Sequence, residues 1–253
     1  MPHTTPDEST PARAPLPAMP EYYADAEGKR RFTRRMFDAG AADYERVDRL
    51  LAFGSGSRYR REALLRHGLA PGMHMLDVAV GTGLVARGAM RILGDRGRVV
   101  GVDPSAAMLA QSAAPGLALV RGRAEGLPFA SQSFDFLCLG YALRHLADLE
   151  TVFREFRRVL RPDGRLLVLE ITRPDGRVAT AVLKAYLHGL LPALARLLAR
   201  SRDTPTLYRY YWDTIEACVP PGRIMASMAA AGFDGVARHV VLGIFSEYSA
   251  RAG

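Results

Sequence analysis

The sequence of 253 residues is poor in cysteine and lacks a visible cluster of metal ligands. Its two cysteines, Cys138 and Cys218, cannot form a disulfide framework, and the apolar run around Cys138 predicts a buried thiol. No group of His, Cys, Asp and Glu has the spacing of metal ligands, so we expect no bound metal. Residues 1–20 lack an apolar stretch behind a basic start, so we expect them to be a disordered tail, and the protein to be cytoplasmic.

Basic residues are numerous, but they are spread along the sequence. Lys and Arg total 34 against 26 Asp and Glu, which gives a net charge of +8. The arginines spread from Arg30 to Arg251 without a cluster interleaved with aromatic residues. This distribution predicts a solvated basic surface and makes nucleic acid an unexpected partner.

The apolar pattern predicts one α/β domain over residues 21–253. Apolar residues at helical spacing between 21 and 67 predict two or three helices. From Met73 onward, short Val- and Leu-rich runs alternate with helical segments, and two alternating runs near the end favour an antiparallel pair. A doubly wound, mostly parallel seven-stranded sheet covered on both faces fits this order. A helix cap at Pro104-Ser105 and a stop at 162–164 support the division.

A glycine-rich loop follows the first predicted strand and admits two cofactor classes. The stretch LDVAVGTGLVA contains G-x-G-x-x-A at 81–86, and Asp103 lies 20 residues beyond Gly83, where an acid can accept ribose hydroxyls. Both features suit a dinucleotide or S-adenosylmethionine. Asp77 separates them, because a carboxylate repels a pyrophosphate but attracts the ammonium and sulfonium of S-adenosylmethionine. An NAD(P)-dependent oxidoreductase is therefore the less favoured interpretation.

Five sequence segments, which follow one another along most of the chain, favour S-adenosylmethionine as the cofactor. They are LDVAVGTG, VVGVDPSAAML, GRAEGLPFASQSFD, the stretch from YALRHL to LEITRP, and AAGFDGV. Together they resemble the class I S-adenosylmethionine-dependent methyltransferases, and more narrowly the ubiquinone/menaquinone biosynthesis C-methyltransferase family. The resemblance implies a Rossmann-like fold and a cofactor site formed by Asp77, Gly81, Thr82 and Gly83 at the methionine end, Asp103 and Pro104 at the ribose, and Met108, Ala124 and Glu125 around the adenine.

The segment YALRHL falls where such folds place residues that face the substrate. In the family this position usually reads Leu-Arg-Asn, so Arg144 carries over and His145 replaces an asparagine. Methylation of a ring carbon is helped by removing a hydroxyl proton, which raises the electron density of the ring. We expect His145 to accept that proton and Arg144 to hold a water or the developing phenolate, with Tyr141 near the substrate. A helix-start role for His145 is the alternative.

A helical insertion is expected over residues 176–216. Residues 178–200 are strongly apolar, but Lys184 and Pro192 interrupt them, so they predict an amphipathic cover rather than a membrane span. The insertion is expected to be a lid over the substrate or an interface of a homodimer, with peripheral membrane contact as a further alternative. Its aromatic residues are expected either in the substrate pocket or as anchors to the core: Tyr210, Tyr211 and Trp212.

The expected function is C-methylation of a lipophilic quinol or phenolic ring. Departures from the family at Val80, Arg123 and His145, and at Gly56 and Tyr59, leave open an O-, N- or C-methyltransferase of an aromatic secondary metabolite. A non-catalytic protein that binds the cofactor is a third alternative. The sequence names neither the methyl acceptor nor the methylated atom.

Overall fold

A seven-stranded sheet forms the centre of the computed structural model, which describes residues 13–51, 55–193 and 204–253. The strand order is β3-β2-β1-β4-β5-β7-β6, and β7 alone runs antiparallel to its neighbours. The predicted doubly wound, mostly parallel sheet and its antiparallel terminal pair are confirmed. The strands are β1 His74–Val78, β2 Arg98–Asp103, β3 Leu117–Arg121, β4 Phe134–Gly140, β5 Leu160–Ile171, β6 Phe233–Val241 and β7 Phe245–Ala252.

Helices cover both faces of this sheet, and their ends agree with the sequence signals. The Ser105 hydroxyl accepts a hydrogen bond from the Met108 N–H at 3.0 Å and so caps a helix, as predicted. A short 3₁₀ turn spans Leu143–His145, and a π-helical turn spans Ala185–Leu190. The α-helices are α1 Ala26–Leu51, α2 Gly56–Arg66, α3 Leu84–Leu93, α4 Ala106–Ser112, α5 Leu149–Val159, α6 Arg177–Lys184, α7 Thr204–Ala217 and α8 Pro221–Ala230.

The apolar runs of the sequence are continuous because the sheet is buried on both sides. Along β4, Leu137 and Leu139 face one core, whereas Phe136 and Cys138 face the other. Successive side chains of a strand point to opposite faces, so a strand covered on both faces needs apolar residues at every position. The predicted buried thiol at Cys138 is confirmed, and it is free.

The last residues of the predicted tail pack on the domain. Leu16 and Met19 are buried. The Arg13 carbonyl accepts a hydrogen bond from the Leu149 N–H at 2.7 Å, and the Pro15 carbonyl accepts one from the Val219 N–H at 3.0 Å. The segment 13–19 is therefore held by backbone hydrogen bonds and two apolar anchors, which its Pro-rich composition does not reveal. Residues 1–12 lie outside the described chain.

The insertion has a small apolar core of its own. Leu187, Leu191, Tyr208 and Ile215 surround Trp212, which is fully buried. The Trp212 indole N–H donates to Glu216 at 3.1 Å, and the Lys184 ammonium lies 5.7 Å from the ring centroid. Among the helices of the described residues, none combines the length and apolar character needed to cross a membrane.

Truncation of this aromatic anchor is expected to destabilise the insertion. Trp212→Ala should lower the free energy of unfolding by about 3–5 kcal/mol, because it removes a fully buried indole and leaves a cavity. Urea unfolding followed by circular dichroism measures the loss, since the variant lacks the chain's single tryptophan. Trp212→Phe should lose clearly less. A loss below about 1 kcal/mol for Trp212→Ala would contradict the anchoring role.

Candidate functional site

A cavity of about 390 Å³ opens where the segments after β1, β2 and β4 meet. Parallel strands bring their carboxyl ends to one edge of the sheet, which is where such folds bind ligands. The roof comes from the opposite end of the sequence, because residues 14–18 and the first turns of α1 close over this edge. Eight of the predicted site residues line the cavity: Gly81, Asp103, Pro104, Met108, Ala124, Glu125, Tyr141 and His145.

The glycine loop adopts backbone torsion angles that residues with a side chain rarely adopt. Gly81 and Gly83 have φ values of 55° and 85°, in the left-handed region that glycine adopts readily. A Cβ atom on Gly83 would lie 3.1 Å from the Arg87 guanidinium and 3.2 Å from Ser112. Around Gly81 the space is open, and this residue faces the cavity. The loop thus presents bare backbone to a ligand at Gly81 and packs tightly at Gly83.

The Asp103 carboxylate ties this loop to the end of β2. One oxygen accepts the Gly81 N–H at 2.9 Å, and the other accepts the Ser105 N–H at 2.8 Å. The Ser105 hydroxyl in turn donates to Asp38 of α1. Burial raises the pKa of Asp103, and the two N–H donors oppose that rise. Each carboxylate oxygen keeps further acceptor capacity, which suits a ligand with hydroxyl groups.

Asp77 is a buried acid with an unused oxygen. Its side chain is 1% exposed, and its Oδ2 has no hydrogen-bond partner among the described residues. Burial raises the pKa of Asp77 to about 8, with the Asp103 charge adding to the rise and the Ala86 N–H and Arg60 opposing it. The Thr82 hydroxyl is likewise buried and unpartnered. Asp77, Thr82 and Gly83 do not line the cavity.

Arg144 is held in the interior by an acid on β5. Its guanidinium pairs with Glu170 at 3.1 Å, with both side chains buried, and also donates to the Ile171 carbonyl at 3.4 Å. Burial raises the pKa of Glu170, and the Arg144 charge opposes the rise. A buried ion pair of this kind fixes the 3₁₀ turn after β4 against β5. Arg144 is not among the residues that line the cavity, and its contact with the substrate stays a prediction.

His145 faces the cavity as a neutral ring. It lies edge-on to Phe37, with ring centroids 5.2 Å apart, and stacks on Tyr210 at 5.7 Å. Neither ring nitrogen has a hydrogen-bond partner in the described parts of the chain. Burial lowers the pKa of His145 well below its ordinary value, and the positive charges of Arg144 and Lys29 act in the same direction.

The aromatic residues of the insertion lie behind the cavity rather than on its wall. Tyr210 is fully buried against the His145 ring. Tyr211 lies near Phe37, with ring centroids 6.4 Å apart. Trp212 belongs to the separate core of the insertion. Their observed contacts correspond to the anchoring alternative, with Tyr210 nearest to the site.

Sequence reasoning missed the polar residues that α1 and the segment before it bring to the cavity, among them Tyr23, Lys29 and Thr33. The Lys29 ammonium donates to the carbonyls of Leu146 at 3.0 Å and Arg144 at 3.4 Å. Burial lowers the pKa of Lys29 to about 8. The one available signal was spacing, since Lys29 and Thr33 precede Phe37 by eight and four residues and so share its helix face.

Comparison with known proteins agrees with this geometry. The model of the ubiE/COQ5 methyltransferase family matches residues 25–249. The chain belongs to this family. The ubiquinone/menaquinone biosynthesis C-methyltransferase UbiE of Syntrophotalea carbinolica is 35% identical over 225 residues, which cover 86% of this chain and 92% of that protein. This family membership identifies the chain as an S-adenosylmethionine-dependent methyltransferase.

Solved structures show the same fold at low sequence identity. A methyltransferase from Thermotoga maritima has a TM-score of 0.61 at 20% identity, covering 87% of this chain and 99% of that one. The phosphoethanolamine N-methyltransferase 2 of Haemonchus contortus, in complex with S-adenosyl-L-methionine, has a TM-score of 0.57 at 22% identity, covering 80% of this chain and 43% of that one. Both confirm the Rossmann-like methyltransferase fold.

The cavity of this methyltransferase fits S-adenosylmethionine. Asp77 does not line the cavity but lies on the strand that leads into the glycine loop, and its unpartnered oxygen would suit a cationic group that reached it. The open backbone at Gly81 admits a close ligand, and Asp103 suits ribose hydroxyls. Met108 and Ala124 supply an apolar wall for a purine ring. These residues are the ones that would hold the cofactor.

We expect cofactor binding at Asp77 to release a proton, because burial raises the pKa of this carboxyl. At pH 7 the free protein holds this carboxyl mostly protonated, whereas the cofactor's ammonium favours the carboxylate. Binding should release most of one proton, and the affinity should rise as the pH rises towards 8. Asp77→Asn should abolish this release and weaken binding by about 10- to 100-fold, since a charged hydrogen bond is lost.

Isothermal titration in two buffers of different ionisation enthalpy measures the released proton. Asp175→Asn, at an exposed acid outside the cavity, is the matched control and should release protons like the wild type. Equal release by Asp77→Asn and the wild type would show that another group titrates.

Proposed function

We propose that this enzyme methylates a ring carbon of a lipophilic quinol, with an aromatic secondary metabolite as the second candidate acceptor. The Syntrophotalea carbinolica relative is a ubiquinone/menaquinone biosynthesis C-methyltransferase, which supports the quinol. The observation that carries the proposal is His145, a neutral ring with two unpartnered nitrogens on the cavity wall. A hydrogen-bond acceptor at that position suits an acceptor molecule with a ring hydroxyl.

When bound, S-adenosylmethionine supplies an electrophilic methyl group. Asp77 and the loop at Gly81–Gly83 would hold its charged end, Asp103 and Pro104 its ribose, and Met108, Ala124 and Glu125 its base. The chain's further contribution is alignment of the two reactants and exclusion of water by the roof formed from residues 14–18 and α1. Neither task requires a metal.

His145 accepts the proton of the ring hydroxyl in this proposal. A weak base suffices, because the hydroxyl becomes far more acidic as the ring carbon gains the methyl group and the ring becomes positively charged. The lowered pKa keeps the imidazole neutral and ready to accept. The ring C–H proton is lost afterwards, when aromaticity is restored, and the hydroxyl regains a proton, so one proton is released per methyl group.

Arg144 acts as a positioning residue. Its ion pair with Glu170 fixes the 3₁₀ turn that carries His145, and its charge helps to keep the neighbouring imidazole neutral. Lys29 holds the same turn from the other side through the carbonyls of Arg144 and Leu146. The turn is therefore clamped between α1 and β5, which sets the direction of the His145 ring.

The insertion is proposed to touch a membrane surface. Val178 and Val182 are 79% and 65% exposed on one side of α6, and Leu190 is 52% exposed. Arg173 and Arg177 are exposed nearby and suit an anionic surface. A lipophilic acceptor is drawn from a membrane, so an apolar, basic surface close to it assists access. A second copy of the chain is the competing occupant of this face.

Transfer of label from methyl-labelled S-adenosylmethionine tests the acceptor. We expect label in the quinone-lipid fraction of a bacterial extract, and Asp103→Ala should abolish it. His145→Phe should lower kcat by about 10²–10⁴ without changing cofactor affinity. His145→Asn, which restores the residue usual in the family, should lose less because its amide oxygen still accepts a hydrogen bond. Label confined to polar aromatics would favour the secondary metabolite, and no label anywhere would favour a non-catalytic role.

Vesicle sedimentation tests the membrane contact. Val178→Asp combined with Val182→Asp should weaken binding to anionic vesicles by about tenfold or more, because two apolar side chains lose their burial. Neutral phosphatidylcholine vesicles serve as the control and should bind weakly throughout. Unchanged vesicle binding by the double variant would contradict the proposal, and a dimer dissociated by the same change would assign the face to a second copy.

A further inference from the structure

Residues 13–18, which we call the strap, form the part of the roof that precedes α1. The Arg13 carbonyl accepts the Leu149 N–H at 2.7 Å, and the Pro15 carbonyl accepts the Val219 N–H at 3.0 Å. Pro15 and Leu16 are buried. The strap therefore lies across the starts of two helices and closes the cavity, which four of its residues line: Ala14, Leu16, Pro17 and Ala18.

Water can replace the polar contacts that hold the strap. Leu149 is the first residue of α5 and Val219 lies just before α8, and the N–H groups at a helix start commonly bond to water. Arg13 also pairs with Asp148 at 3.1 Å, but its side chain is 87% exposed, and an ion pair so exposed contributes little. Detachment of the strap therefore costs mainly the burial of its two apolar residues.

The chain directly after the strap is fixed to the domain. The Met19 carbonyl accepts the N–H groups of Tyr22 at 3.0 Å and Tyr23 at 3.1 Å, which forms a turn. Met19 is buried, and the Tyr22 ring lies 5.5 Å from Phe32 of α1 and 5.0 Å from Tyr210 of α7, between ring centroids. A movement of the strap would therefore pivot at Met19 and leave α1 in place.

Prolines restrict the backbone of the strap and of the residues that follow it. Pro15, Pro17 and Pro20 stand within six residues. The proline ring fixes the φ angle, so the detached segment has fewer conformations to lose when it docks again. A segment with few bonds to the domain and a restricted backbone suits repeated detachment and docking.

We propose that the strap is a gate, which closes over bound S-adenosylmethionine and must detach before S-adenosylhomocysteine leaves. The cavity lies between the roof and the carboxyl edge of the sheet, and Asp103 and Met108 of the expected cofactor site line it together with the strap. The strap can open without any change in the sheet or α1. The inference depends on the cofactor and not on the acceptor. The strap also precedes residues 25–249, the region that matches the family.

Trypsin reports the position of the strap in the wild-type protein. Arg13 is the first Lys or Arg of the sequence, so cleavage after it removes 13 residues, which mass spectrometry detects. Saturating S-adenosylhomocysteine should slow this cleavage by about tenfold, because the ligand favours the docked strap and a protease cuts the detached one. Cleavage after Arg96, in the exposed turn between α3 and β2 and outside the cavity, is the control and should keep its rate. Unchanged cleavage after Arg13, or equal protection of both bonds, would overturn the proposal.

Leu16→Ser tests the gate by binding kinetics. Loss of the buried leucine should raise the population of detached strap, so the association and dissociation rates of radiolabelled S-adenosylhomocysteine should both rise by about threefold to tenfold. Leu65→Ser is the matched control, at a leucine of α2 that is 44% exposed and lies outside the cavity, and it should leave both rates unchanged. Faster dissociation with unchanged association in Leu16→Ser would make the strap a fixed wall and overturn the gate, as would two unchanged rates.

Discussion

The arrangement of the whole site depends on the hydrogen bonds made by one carboxylate, that of Asp103. By accepting the N–H groups of Gly81 and Ser105, it fixes the glycine loop after β1 to the start of α4 after β2. Ser105 carries the connection onward to Asp38 of α1, which forms part of the roof. A ligand at Asp103 is therefore in contact with a group whose position already sets the loop and the roof, so little reorganisation is needed on binding.

The second feature of the site is that its polar atoms are buried before any ligand is present. One oxygen of Asp77 and both ring nitrogens of His145 give up contacts with water without regaining hydrogen bonds in the described chain. Such groups lower the stability of the free protein, and a ligand that pairs with them relieves that cost. Their pKa values change in the direction that burial dictates, upward for the acid and downward for the imidazole.

The sequence predicts the sheet half of the molecule well, because local signals determine it. Strands buried on both faces leave continuous apolar runs, and Asp77, Gly81 and Asp103 stand at spacings fixed by short connections. The roof over the cavity, formed by residues 14–18 and the first turns of α1, leaves no comparable local pattern in the sequence. Lys29 and Thr33 are polar residues on a helix face, and the segment 13–19 is held by hydrogen bonds from Leu149 and Val219, which lie more than a hundred positions away. Tertiary contacts of that range leave no periodicity to detect.

The sheet edge and the roof therefore have different tasks in the enzyme. The carboxyl edge of the sheet carries the residues expected to hold the cofactor, whereas in the proposed function the acceptor would meet the 3₁₀ turn and α1. The replacement of asparagine by His145 lies on the acceptor side, and its ring stacks on Tyr210. A change of acceptor needs new side chains only there, because Asp103 and the loop keep their hydrogen bonds whatever lies opposite. In the proposed function, the acceptor would therefore be selected by residues that sequence motifs reveal least, whereas the fold and the cofactor class are indicated by the residues that motifs reveal best.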